Sequence, residues 1–400
     1  MAVVYHKYNS ALDNRSLVPV KQDVVSPVDV EKEQSDYLIL ADALAEESSI
    51  SGGLNFLEIT EEKVRDILNN PASKAIQQNA TLILGKLKKF SAGRERNPDK
   101  RAQLYNEAIE MLDRFIRDNP DYSGLSEARF ELSELLQEKA RFLTGMARVE
   151  ANPVKKQGLI EQVELTYTRI NEYLNIMIKD YQEMLENIHN PVQGEEIDNK
   201  IMRASYTLGL NSYYQGLLYN KGDDNHKKYL KEAIKSFNTF ALKYGDKLLS
   251  YEVYDYIGLC YYELDDYKSA RLYFKSTASL YKAIMDDDEK TKEEKNEIIY
   301  ECCDIIQRGY THLAMIANAT REYGEAIKII DDMFKIFPKN QSEEWMEMGL
   351  LEQARALFYI GNKEQARSTV QGLKDNSRNI SVRSAADDVL RGFTKMEGGK

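Results

Sequence analysis

Residues 251–284 read YEVYDYIGLCYYELDDYKSARLYFKSTASLYKAI, and eight of these thirty-four positions are tyrosine. A base-stacking surface, a binding groove and a helical core each place tyrosine differently, and the spacing separates them. Large or apolar side chains recur at Tyr254, Ile257 and Tyr261, then, beyond a polar Asp265–Asp266 step, at Ala270, Phe274 and Thr277. Intervals of three and four belong to one face of a helix, and the polar step marks a turn between two such helices. Gly258 and Ala270 are small, as the closest crossing of two antiparallel helices requires. Tyr254, Tyr261 and Phe274 are large and fill the space around that crossing. Most of these tyrosines are therefore expected to be packing residues.

When Gly258 is placed eighth in a 34-residue unit, the same residues fall at positions 4, 7, 8, 11, 20, 24 and 27. The segment Gln307–Pro338 repeats the pattern with Tyr310, Leu313, Ala314, Ala317, Ala326, Ile330, Met333 and Pro338. From Glu347 it returns as Leu350, Ala354, Leu357, Gly361, Ala366 and Val370, departing at position 7, where Gln353 stands in place of an apolar residue. Upstream, Ala233–Phe237–Phe240 and Ala108–Leu112–Phe115 match second helices whose partners are offset by longer connections. The pattern resembles the tetratricopeptide repeat, with full motifs over 250–374 and partial ones over 72–249.

That resemblance implies an all-α fold: a right-handed α-solenoid of about six antiparallel helical hairpins. Residues 1–36, poor in helical periodicity and rich in Val, Pro, Asn and Asp, are expected to form an extended or disordered arm. Irregular hairpins should occupy 37–200 and regular repeats 201–376. Residues 377–400 then form a capping helix and tail, the amphipathic stretch Ile380–Phe393 being the cap. Thr60 before Glu61 and Glu62 has the form of an N-cap. The mixed-charge stretch Asp286–Glu297 has the form of a linker or helix extension.

The resemblance also implies that the first helix of each hairpin lines a concave wall through positions 2, 5, 6, 9, 12 and 13. These are Glu252, Asp255, Tyr256, Leu259, Tyr262 and Glu263 in the first unit. In the second they are Arg308, Thr311, His312, Met315, Asn318 and Ala319. Met348, Leu351, Glu352, Arg355, Phe358 and Tyr359 follow in the third. Aromatic, methionine and acidic side chains on one helical wall are the makeup of a groove for a peptide or helix. Four acids against two arginines point to a partner of basic character.

Composition narrows the alternatives. The net charge is −11 and the isoelectric point about 5.2, which argues against a general phosphate-backbone binder. The one local cluster of cations, Lys86, Lys88, Lys89, Arg94 and Arg96, is expected in a solvated turn. No run of eighteen apolar residues spans a membrane. Without a basic, then apolar leader the default location is the cytoplasm, and any other compartment would require that a leader had been removed. The three cysteines, Cys260, Cys302 and Cys303, form neither a disulfide framework nor a metal-binding CxxC, and should be reduced thiols.

Catalytic signatures are absent from the sequence: there is no GxSxG, GxxxxGK[ST], GxGxxG or HExxH. The single ExxH, Glu186–His189, abuts a helix-ending Asn-Pro and lacks the second copy that a di-iron bundle needs. The acidic groups at 263–266 and 286–288 lack the spacing of a calcium loop. No cofactor or metal is expected. The chain should be a non-enzymatic scaffold or adaptor that binds a partner segment in its groove. The alternative is a structural subunit that packs by its outer faces and its N-terminal arm.

Overall fold

The computed structural model describes residues 27–51, 54–245, 247–337 and 344–398, and every regular element among them is a helix. Contacts divide the chain into two compact units, residues 1–135 and 136–400. None of the described helices is long and apolar enough to cross a membrane.

The first unit contains α1 (Pro27–Ser51), α2 (Leu54–Asn69), α3 (Lys74–Arg94), α4 (Pro98–Asp118) and the start of α5 (Leu125–Val149). Its core joins Leu38 and Ala41 to Leu57, Val64, Ile67, Ile76, Ile83 and Leu87. Residues 1–26 of the expected arm lie outside the described residues, and 27–36 are not extended but form the opening turns of α1. Proline at the first helical position and Asp29 in the first turn suit a helix start. Gln34 ties this segment to the fold by donating to the Asn70 carbonyl at 2.9 Å and accepting from the Ala72 amide at 2.8 Å. Thr60, expected as a cap, is instead an interior residue of α2 and buried, because α2 begins at Leu54 and packs through Leu57.

The lysine cluster departs most from expectation. Lys86, Lys88 and Lys89 lie in the middle of α3 and face inward rather than into a solvated turn. Lys86 Nζ meets Asp42 of α1 at 2.9 Å and Glu131 of α5 at 3.3 Å. Lys88 meets Glu107 of α4 at 2.8 Å, and Lys89 meets Glu134 of α5 at 2.9 Å. Burial alone would depress Lys86, but the carboxylates of Glu131 and Asp42 outweigh it and hold the ammonium above its ordinary range. Burial likewise pushes the Glu131 carboxyl up, against the pull of Lys89 and Lys86. The cations are thus internal cross-links between helices.

The second unit continues with α6 (Pro153–Asn187), α7 (Pro191–Gly216), α8 (Asp224–Tyr244), α9 (Leu249–Glu263), α10 (Tyr267–Ala278), α11 (Leu280–Met285) and α12 (Lys292–Glu301). It ends with α13 (Cys303–Ala319), α14 (Tyr323–Ile336), α15 (Glu344–Tyr359), α16 (Lys363–Asn376) and α17 (Ile380–Gly398). The stretch 121–190, which carries no repeat signature, contains α5 and the long α6. Asp286–Glu297, expected as a linker or helix extension, holds a turn and the start of α12, which opens with a capping box between Thr291 and Glu294.

One packing device recurs through both units, and it is the small-against-large crossing that the repeat pattern predicts. In the hairpins α3/α4, α7/α8 and α9/α10 a glycine of the first helix lies under a large residue of the second. A Cβ added to Gly258 would stand 2.4 Å from the Phe274 ring; at Gly209 it would meet Phe237 at 2.4 Å and at Gly85 Leu112 at 2.7 Å. Each second helix then repeats one buried triplet: Ala108–Leu112–Phe115, Ala233–Phe237–Phe240, Ala270–Phe274–Thr277 and Ala326–Ile330–Met333.

The turns repeat as well. Asp265, Arg321 and Gly361 occupy the same position after successive first helices, and all three have positive φ, of 60°, 65° and 101°. That conformation lets the next amide donate five residues back, from Asp266 to Tyr261 (2.9 Å), Glu322 to Ala317 (2.7 Å) and Asn362 to Leu357 (2.9 Å). The expected cap is α17, whose Phe393 stacks on Phe358 of α15 at 4.0 Å.

Two stability measurements check this account. Gly258→Leu and Ala326→Leu should each lower stability by about 1–3 kcal/mol in denaturant titrations, because the helices must separate. Unchanged midpoints in both would remove the close crossing as the organising contact. Lys86→Met leaves Glu131 with Lys89, at 3.5 Å, as its remaining cation, so it should lower stability by less than the about 3–5 kcal/mol of a fully stranded buried charge, and Lys86→Met/Glu131→Leu should recover most of the loss. Lys86 is raised, so its contribution is complete through neutral pH and fades only in alkali.

Candidate functional site

The first helices α9, α13 and α15 follow one another in the second unit, so repeat positions on their inner faces form a continuous seam. Asp255 of α9 is its most enclosed member, at 1% exposure. One carboxylate oxygen lies 2.8 Å from His312 Nδ1 and the other 3.9 Å from Arg308 Nε, both on α13. Glu252, one turn before Asp255, lies 3.7 Å from Arg308 and accepts from the Tyr206 hydroxyl of α7 at 2.9 Å. Burial alone would lower Arg308, yet Asp255 and Glu252 hold its guanidinium above its ordinary range. Burial, with Glu252 adding to it, pushes the Tyr206 phenol up, so it stays a neutral donor.

Rings enclose this charge. Phe274 lies 4.8 Å and Trp345 5.3 Å from the His312 ring, and Arg308 sits 5.8 Å from the Trp345 ring. Thr311 donates to the Trp345 carbonyl at 3.0 Å, which fixes α15 against α13. Further along, the Asn318 amide donates to the Glu352 carboxylate and carbonyl, each at 2.9 Å, and Arg355 pairs with Glu352 at 2.6 Å.

The structure brings together Glu252, Asp255, Arg308 and His312, and separately Asn318, Glu352 and Arg355. Leu259, Tyr262 and Met315 converge on Phe274 and Ile316 as half-buried side chains. Three expected wall residues are placed otherwise. Tyr256 is stacked on Phe237 at 5.8 Å and edges against Tyr206 and Tyr213, which makes it a packing residue. Phe358 is covered by Phe393 of the capping helix. Tyr359 is exposed but stacks at 4.8 Å on Tyr323, the first residue of α14. Conversely Tyr261, expected in the core, is only half buried and stacks on Tyr273 at 5.7 Å.

Two members of the seam, Tyr206 and Trp345, escaped the sequence reading. Tyr206 was recoverable: counted from Gly209 as position 8, it takes the position of Asp255 on α7. Trp345 precedes its repeat unit and carries no register signal. Among the described residues no group of His, Cys, Asp and Glu could hold a metal ion. Burial raises the Cys260 thiol well above its usual range and Cys302 to about 11, so neither presents a thiolate at neutral pH. His189 lies exposed beyond the end of α6.

No protein-family model matches the chain, and no curated protein sequence matches it. Solved structures that resemble it include NprR in complex with its cognate peptide NprX, 12% identical, covering 95% of this chain and 87% of that one, with a TM-score of 0.40. Apo RapI is 12% identical over 92% of this chain and 99% of that one, with a TM-score of 0.41. A signal-transduction ATPase with a tetratricopeptide repeat sensor from Pyrococcus horikoshii is 15% identical over 93% of this chain and 56% of that one, with a TM-score of 0.33.

Asp255→Ala leaves Arg308 without its most enclosed counter-charge. The variant should lose about 3–5 kcal/mol in chemical denaturation. A loss below about 1 kcal/mol, the range of exposed ion pairs, would show that the seam is solvated in solution.

Proposed function

We propose that the chain is a non-enzymatic scaffold that holds a segment of a protein partner along the first-helix face of α9, α13 and α15. One observation carries this reading. Arg308 Nε and Asn318 Oδ1, a donor and an acceptor on the same helix, are buried without any hydrogen-bond partner. Each such orphan costs about 1–3 kcal/mol. A partner's backbone supplies both missing groups, a carbonyl for Arg308 and an amide for Asn318, after small rotations of side chains that are themselves only partly enclosed.

The surroundings suit that role. Leu259, Tyr262 and Met315 offer half-buried apolar and aromatic surface from which binding hot spots are made. Glu252, Asp255 and Glu352 are already matched to cations of the protein itself, whereas Glu263, half buried, has no cation within ion-pair distance. A basic side chain in the partner's segment completes it, so the partner is expected to carry one.

Tyr262→Ala/Met315→Ala should fold cooperatively and lose, relative to the parent chain, the partner recovered by affinity capture and identified by mass spectrometry. In a purified pair the loss should be about 1 kcal/mol or more of binding free energy. Retention of every captured partner at undiminished affinity would show that this face is not the binding surface.

A further inference from the structure

The second helices carry a different chemistry. On α8, Lys227, Lys231 and Lys235 recur every four residues and are all exposed; on α10, Lys268 and Lys275 stand two turns apart and are exposed too. Among the described residues, none of the five side chains takes part in a hydrogen bond, ion pair or ring contact. Two shallow clefts follow these rows. The first is lined by Lys227, Lys231 and Ile234 of α8 with Tyr261, Leu264 and Asp266. The second is lined by Lys268, Arg271, Leu272 and Lys275 of α10 with Thr320 and Glu322.

We infer that these clefts together form a second docking surface, which takes an acidic, partly apolar segment of a protein partner. The lysines are the first point. In a chain of net charge −11, five exposed lysines along two helices whose ammonium groups are in no ion pair leave a row of cationic groups open to a partner. Arg271 shows the contrast, being matched by Glu322 at 2.6 Å. Lys231 and Lys268 also occupy the same repeat position, two residues before the buried alanines Ala233 and Ala270. The flanking hairpins do not continue the rows: the matching sites are Asn106 on α4 and Gly324 on α14.

Between and beside the rows lie Ile234, Tyr261, Leu264 and Leu272, the last 61% exposed. An acidic segment with interspersed leucines or aromatics matches both the charge and this apolar floor. A polyphosphate would match only the lysines, and the net negative field of the chain opposes its approach. Asp266 does not cancel the patch, because its carboxylate is taken up by capping α10, accepting from the Ser269 amide at 3.1 Å.

Fluorescence anisotropy of the full chain with a labelled glutamate- and leucine-rich peptide tests this surface, with labelled oligothymidylate as the competing class. The peptide should bind at low ionic strength and weaken as salt rises. Lys231→Glu/Lys268→Glu/Lys275→Glu, whose side chains are exposed and make no hydrogen bond or ion pair, should keep the parent circular dichroism and melting curve while weakening the peptide by about tenfold or more. Tyr262→Ala/Met315→Ala, on the other helix face, should leave this peptide unaffected. Absence of peptide binding at low salt, undiminished binding by the triple variant, or tighter binding of oligothymidylate than of the peptide would each overturn the assignment.

Discussion

Gly258 beneath Phe274 is the contact on which the repeat depends. Two helices joined by a short turn pack tightly only if one residue at the crossing is small, glycine or alanine, and the residue facing it fills the space released. That requirement fixes the register of the hairpin, and the register fixes everything else. Once Gly258 and Ala270 are set at the crossing, Asp255 and Tyr262 must turn to one side of the first helix, and Lys268 and Lys275 to the outer side of the second. The positive φ of Asp265, Arg321 and Gly361 belongs to the same constraint. The chain has to reverse within a few residues of the crossing, and the left-handed residue is what brings the second helix back onto the first.

Buried charge is handled in the same way in both units, by setting one side chain between two partners on neighbouring helices. Lys86 lies between Asp42 and Glu131, as Asp255 lies between His312 and Arg308. An ion pair in low dielectric gains little net stability over an apolar pair of the same shape. Its consequence is orientation, because a misplaced helix strands a charge, whereas a misplaced leucine only loses contacts. The seam along α9, α13 and α15 therefore fixes the mutual setting of three first helices while leaving Arg308 Nε and Asn318 Oδ1 unmatched.

The hairpins were legible in the sequence wherever the small residue and the large residue lay about sixteen positions apart, as Gly258 and Phe274 do. Lengthened connections hid the same pair elsewhere: Gly209 and Phe237, or Gly85 and Leu112, make the same contact at nearly twice that separation. Lys86, Lys88 and Lys89 misled for a different reason. Three cations in four residues look solvated when their counter-ions, Asp42, Glu107, Glu131 and Glu134, lie on other helices far along the chain. Tyr256 and Phe358 show the limit of repeat register as a guide to a site. Register states which way a residue points, but whether that direction is open depends on what the neighbouring repeat puts there, and here it puts Phe237 and Phe393.

The two helices of each hairpin differ in how far their charges are already satisfied, and that difference is the more informative guide to binding. On the first helices, acids and bases are matched almost one to one, so a partner meets few free charges and must rely on shape, apolar contact and two orphaned polar atoms. On α8 and α10 the lysines are spaced four residues along a helix and one hairpin from the next, and none closes an ion pair with the acids beside them, Glu232 and Asp224 among these. Repulsion among them then lowers stability slightly in the free chain, and a partner that supplies carboxylates relieves it. With both proposed surfaces occupied, selection on the outer one would act on charge and association rate and selection on the inner seam on fit, so one hairpin stack would discriminate between two kinds of segment without any change in its fold.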